Sequence, residues 1–175
     1  MCPACWGQHT EIAGIRSVFR FEGIMRQAVH DLKYRSVKSI ADSLAMLMAN
    51  YLQENKVPGD TFIAVPLHSR RLRERGYNQS SLLAKRLGKM TSMAVMEGCL
   101  LRVKDSLPQA RTTTVDERKR NVEKAFICSN QDVQGKSLIL IDDVCTSGAT
   151  LEACAAALKA AGAASVWGFT LAREI

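Results

Sequence analysis

An α/β fold built on a parallel sheet is the class this sequence predicts, and three observations predict it. Short apolar runs bounded by turn residues read as buried strands at 61–65, 137–141 and 165–171. Segments with helical apolar spacing lie between them, at 78–90 and 148–161. Strand, helix, strand, loop, strand, helix, strand is the order that gives a parallel sheet its covering helices. The 175 residues suit one domain with a small appendage. With 47% hydrophobic and 23% charged residues, disorder as the main state is excluded. No apolar run reaches the ~18–20 residues needed to span a bilayer. Nor does the start show a basic segment followed by an apolar one, so a cytoplasmic protein is expected.

Taken in order, the first ten residues are irregular and contain Cys2 and Cys5. Ile24, Ala28, Val29 and Leu32 mark a helix over 22–34. Ile40, Leu44, Leu47, Met48 and Tyr51 mark another over 38–52. Pro58-Gly59-Asp60 is a turn signal, and the strand after it ends at Pro66. The segment 68–75 (HSRRLRER) reads as an Arg-rich loop. Leu82, Leu83 and Leu87 give the next helix its apolar face, and 93–101 reads as a further strand. Residues 102–121 are polar and basic and read as a long mobile loop, a length usually reserved for function or disorder. The Ala-rich helix that follows the strongest strand stops at Gly162.

The net charge is +7, and its distribution is informative. Segments 68–75 and 102–124 each carry a net charge of +3. Charge concentrated in this way points to an anionic ligand, either phosphate groups or a nucleic-acid backbone. Solubility charge on two surface loops is the plain alternative. The six cysteines do not suggest a disulfide framework, because no secretory context accompanies them.

The chemistry centres on LILIDDVCTSGAT, residues 138–150. A buried strand ends in Asp142 and Asp143, where ligands bind in parallel sheets. The loop of hydroxyls and glycine then opens a helix, whose free N–H groups and dipole suit a phosphate. The two acids suit sugar hydroxyls or a hydrated Mg²⁺. Together they describe a ribose 5-phosphate site. Helix capping by Asp142 and Ser147 is the competing explanation, and it leaves the second acid without a role. The loop is neither a Walker loop nor a GxGxxG fingerprint.

These residues carry a resemblance. Segment 138–150 resembles the signature of type I phosphoribosyltransferases that binds 5-phosphoribosyl 1-pyrophosphate (PRPP): apolar strand, two acids, then Thr-Ser-Gly-Ala-Thr. The wider arrangement is similar to the ComF family. VPLHSRRLRERGYNQ (65–79), LPQ…ERKRNVEKAF (107–126) and LKYRS (32–36) match its blocks at similar spacing. Thr112-Thr113-Thr114 stands where a Leu is expected. The resemblance implies a type I phosphoribosyltransferase fold, with about five parallel strands flanked by helices and an N-terminal helical hood. It divides the chain into a zinc-knuckle remnant at 1–9 and a phosphoribosyltransferase-like domain at 10–175, with the hood at 10–52 and the core at 60–175. ComF chains usually begin with two CxxC pairs. Here there is one CxxC pair, Cys2 and Cys5, half of a closed four-ligand zinc site, and the upstream half reads as absent. His9 is a weaker third candidate.

Residue by residue, the resemblance implies that Thr146, Ser147, Gly148, Ala149 and Thr150 hold the 5-phosphate. Asp142 and Asp143 bind the ribose hydroxyls, hold Mg²⁺ directly or through water, and supply a base. Leu67, His68, Ser69, Arg70 and Arg75 contact the pyrophosphate. Arg118 or Arg120, on the mobile loop, closes over it as a catalytic group. The first reading is therefore a Mg²⁺-dependent transferase that displaces pyrophosphate with an unidentified, nitrogenous acceptor. The second is a competence-related module that binds single-stranded DNA, works with competence proteins, and uses its PRPP or phosphate site without turnover. The few aromatics in the basic segments weigh against it. A PRPP-sensing regulator is a third, weakened by the lack of a helix-turn-helix segment. The oligomeric state, a dimer included, stays open. Elsewhere, His68 reads as a base or a surface group, Cys145 as a reactive or a packing thiol, and Trp6 and Trp167 as core rather than stacking residues. Lys33-Tyr34-Arg35 reads as a helix end or part of the substrate cover.

Overall fold

The computed structural model describes residues 10–34, 39–103, 125–128 and 131–174. Its strands are β1 (Gly14–Arg20), β2 (Thr61–Ala64), β3 (Ala94–Met96), β4 (Leu100–Arg102), β5 (Phe126–Cys128), β6 (Ser137–Cys145) and β7 (Ser165–Arg173). The helices are α1 (Gly23–Tyr34), α2 (Ile40–Glu54), α3 (Ser69–Arg75), α4 (Gln79–Thr91) and α5 (Ala149–Ala160). Five strands form one sheet in the order β1-β7-β6-β2-β3, and every neighbouring pair is parallel. β4 and β5 pair antiparallel in a separate ribbon.

Alternation along the central strands divides the core into two layers. Leu138 and Leu140 of β6, with Ile63 of β2, face α5 and the ribbon, where they meet Leu151, Cys154, Leu158 and Phe126. Ile139 and Ile141, with Phe62, face the other way, toward Leu44 and Met48 of α2 and Leu83 and Leu87 of α4. Continuous apolar runs, rather than alternating ones, are what a sheet covered on both faces requires.

Several expectations need correction. Residues 10–52 are not wholly a helical hood, because 14–20 form β1, an edge strand of the main sheet. Its period-2 pattern serves both layers, Ile15 packing on one and Val18 on the other. Gly14 makes this possible: a Cβ there would lie 2.5 Å from the Trp167 ring. The Arg-rich segment is not a loop but the helix α3. His68 caps its start, with Nδ1 accepting from the Arg70 N–H. Arg70 pairs with Glu74 one turn on, and Gly76, at φ 77°, ends the helix in the left-handed region. The strand expected over 93–101 is two strands, parted at Gly98 with φ 72° and lying in different sheets. β6 runs on through both acids to Cys145, because β7 continues to pair with it there. The segment expected to form the mobile loop lies outside the described residues beyond Val103.

Candidate sugar-phosphate site

The chain order places the site. From β6 the chain enters α5 on one face of the sheet, while from β2 it reaches α4 on the other. Neighbouring strands whose helices leave on opposite faces open a crevice beyond their carboxyl ends. β2 and β6 are such a pair, aligned so that Ala64 stands beside Ile141 and the Val65 N–H donates to the Ile141 carbonyl at 3.0 Å. The segments 66–68 and 142–148 therefore emerge side by side.

On the β6 side stands the acid pair. Asp142 Oδ1 accepts from the Ser80 hydroxyl at 2.8 Å and from the Asp143 N–H at 2.9 Å. Burial, with the Asp143 carboxylate beside it, pushes Asp142 up to about 7, against the pull of Lys33 and Ser80. Asp143 is 3% exposed. Its Oδ1 lies 3.0 Å from the Lys33 ammonium, and its Oδ2 is buried with no hydrogen-bond partner. A buried oxygen with unfilled lone pairs is a place where a donor or a cation belongs.

Beyond the acids, Thr146 and Ser147 are exposed and Gly148 adopts φ 79° before α5 begins. The left-handed turn aims the chain into the helix start, and the Ser147 hydroxyl accepts from the Ala149 N–H at 3.4 Å. A Cβ at Gly148 would come within 3.2 Å of Ile15 Cδ1, so β1 crowds this turn from below. Ala149 is buried and Thr150 half-buried. Burial pushes the Cys145 thiol up, which makes it a packing group rather than a reactive thiolate.

On the β2 side, Leu67 and His68 lead into α3, with Ser69 and Arg70 exposed on its first turn. The block Arg75-Gly76-Tyr77-Asn78-Gln79 acts as a joint. Asn78 donates to the Val65 carbonyl at 2.9 Å while its Oδ1 accepts from the Ser80 N–H and caps α4. The Tyr77 hydroxyl donates to the Leu32 carbonyl of α1. Arg75 donates to Gln79 and lies 5.3 Å from the centre of the Tyr34 ring. Arg118, Arg120, Cys2, Cys5, His9 and Trp6 lie outside the described residues. Among the described residues, no group of three or more His, Cys, Asp or Glu is placed to hold a metal ion. Nor is any helix long and apolar enough to cross a membrane.

Ser80 carried no assigned role in the sequence and Lys33 was read only as a helix end or part of the substrate cover, not as a partner of the acids, though each left a signal there. Ser80 occupies the first position of the apolar stripe Ser80, Leu83, Ala84, Leu87 and is 1% exposed. Lys33 follows Val29 by one helical turn on the buried face of α1. A hydroxyl or an amine in an apolar stripe implies a polar partner.

Sequence comparison meets this geometry at the same residues. The phosphoribosyl transferase domain profile matches residues 81–174, just over half of the chain. DNA utilization protein YhgH of Salmonella typhi is 35% identical over 99% of this chain and 78% of its own. Competence protein ComFC of Bacillus subtilis is 32% identical over 91% of this chain and 64% of its own. The chain is a member of the ComF family. That family lies within the phosphoribosyltransferase superfamily, and the fold agrees. Glutamine phosphoribosylpyrophosphate amidotransferase from B. subtilis superposes with a TM-score of 0.51 at 20% identity, over 75% of this chain and 26% of that one. This ComF chain thus has the type I phosphoribosyltransferase-like fold, and its acid pair and Thr-Ser-Gly-Ala-Thr turn lie inside the matched region.

Proposed function

We propose that the chain binds PRPP and transfers its phosphoribosyl group to a nitrogenous acceptor, releasing pyrophosphate. The observation that carries this reading is the succession at the end of β6: two carboxylates, hydroxyls, a left-handed glycine and a helix start, all beside the end of β2. Thr146 to Thr150 would hold the 5-phosphate, where backbone N–H groups and hydroxyls converge. Asp142 and Asp143 would accept from the ribose hydroxyls. Leu67, His68, Ser69, Arg70 and Arg75 are the candidate pyrophosphate contacts. Binding both ends of the substrate fixes C1 between them, and cations at the leaving group offset the charge that grows there. Helices α1 and α2, residues 23–54, are the candidate hood over the acceptor, with the remaining elements as core.

The donor set also suits Mg²⁺. Two adjacent carboxylates, one with an unpartnered oxygen, supply the hard oxygen ligands that Mg²⁺ shares with substrate oxygens. Asp142 and Asp143 would hold it, and bound there it would neutralise pyrophosphate charge. Calorimetric titration with PRPP, with and without Mg²⁺, tests the reading. Micromolar, Mg²⁺-dependent binding by the wild type, lost in Asp142→Asn/Asp143→Asn, is expected. A folded wild type that binds no PRPP would sink it.

A second reading is favoured by the relatives' names and by α3, whose Arg70 and Arg73 are exposed. It takes single-stranded DNA as the ligand, held through its phosphates. Affinity would then fall steeply with salt and drop in Arg70→Ala/Arg73→Ala, with no response to Asp143→Asn.

A further inference from the structure

The Lys33 ammonium sits where a ligand of Asp143 would sit. Its side chain is 23% exposed, and the carboxylate beneath it is 4% exposed. The carboxylate assigned to ribose hydroxyls and a cation thus already holds the chain's own cation on Oδ1, while its Oδ2 is buried without a partner. An ammonium offers three donors and a full positive charge to the same lone pairs that a hydroxyl or a metal ion would use. Two cations held within a few ångströms of one another on a single carboxylate repel strongly. Lys33 is also well placed to leave, since its partly exposed side chain borders water.

We propose that Lys33 is an internal counter-ion that plugs the acid pair, and that a divalent cation or the sugar hydroxyls must displace it to enter. The proposal deepens the PRPP reading and rests on it for the identity of the incoming sugar phosphate. The plug belongs to α1, whose last turn is also tied down through Leu32 and Tyr34. Entry of the ligand therefore removes the Lys33–Asp143 ion pair between α1 and β6 and leaves the contacts of Leu32 and Tyr34 with the joint at 75–79.

The test uses Mn²⁺ alone as the probe, with free ion followed by electron paramagnetic resonance. Lys33→Met should bind Mn²⁺ on the order of tenfold more tightly than wild type, as expected when a unit charge a few ångströms away is removed. Lys33→Arg should retain weak binding. Lys136→Met, which removes an exposed positive charge, should leave the affinity within about twofold. Lys33→Met/Asp143→Asn should lose the gain. Saturating Mn²⁺ should also speed amide exchange over residues 30–34 in wild type and leave it unchanged in Lys33→Met. A Lys33→Met protein that binds Mn²⁺ no more tightly than wild type, or more weakly, overturns the plug and makes Lys33 part of the ligand cradle. A PRPP titration of both proteins keeps the two ideas apart. Tighter Mn²⁺ binding with no PRPP binding in either sinks the substrate reading and leaves the plug standing.

Discussion

Asp142 has a carboxyl whose ionisation the fold shifts strongly. In the unfolded chain its carboxyl ionises near 3.8, whereas in the fold burial and Asp143 hold the proton to about 7. Between those values the folded state binds more protons than the unfolded one, so stability falls as pH rises. Above about 7 both states are ionised and the penalty is complete. Asp142→Asn keeps an oxygen for the Ser80 hydroxyl and the Asp143 N–H without the charge. Its melting temperature should match wild type near pH 4 and exceed it increasingly up to about pH 7, as thermal melts across that range would read. A constant difference would mean that Asp142 is not the buried acid described. Residue-level chemistry was partly legible in the sequence. Two acids after an apolar strand announce a site, but only the fold brings Ser80 and Lys33 to them from 62 and 110 residues away.

Among the elements, the joint around Asn78 has the clearest consequence. One side chain caps α4 and also holds the carbonyl that follows β2. Loss of a helix cap costs about 1 kcal/mol, and leaving the Val65 carbonyl without its partner adds about 1 kcal/mol more. Asn78→Ala should therefore lower stability by about 2 kcal/mol in urea unfolding, with a loss near zero counting against the joint. Elements set by apolar spacing were legible: α1, α2, α4 and α5 fall within two residues of their expected positions. Elements set by local capping were not. The sequence 68–75 has no apolar stripe to announce α3, which instead depends on His68, the Arg70–Glu74 pair and Gly76. β1 was missed because the resemblance assigned 10–52 to one helical hood, while its strand character is realised only against β7.

At the scale of the whole molecule, stability resides in the two apolar layers against the sheet. Phe169 of β7 is wholly buried in the layer that faces α2 and α4, and its ring stacks on Tyr51 at 5.8 Å. Phe169→Ala should cost about 3–5 kcal/mol. Against a total of about 5–15 kcal/mol, that is enough to move the urea midpoint far down. Ile24→Ala, at a side chain 80% exposed, should shift it by no more than about 0.5 kcal/mol. Equal effects would mean the layers are wrongly drawn.

The edge position of β1 bears on how the protein is made. Gly14 finds its partner in Trp167 and Arg20 in Arg173, so the first strand cannot join the sheet until the last has left the ribosome. Synthesis at about 5–20 residues per second leaves β1 waiting roughly 7–30 s. Throughout that interval Ile15, Val18 and Phe19 belong to a strand with no ladder, a template open to other chains. A chaperone that shields nascent residues 14–20 would find its task here, and it would end when β7 arrives.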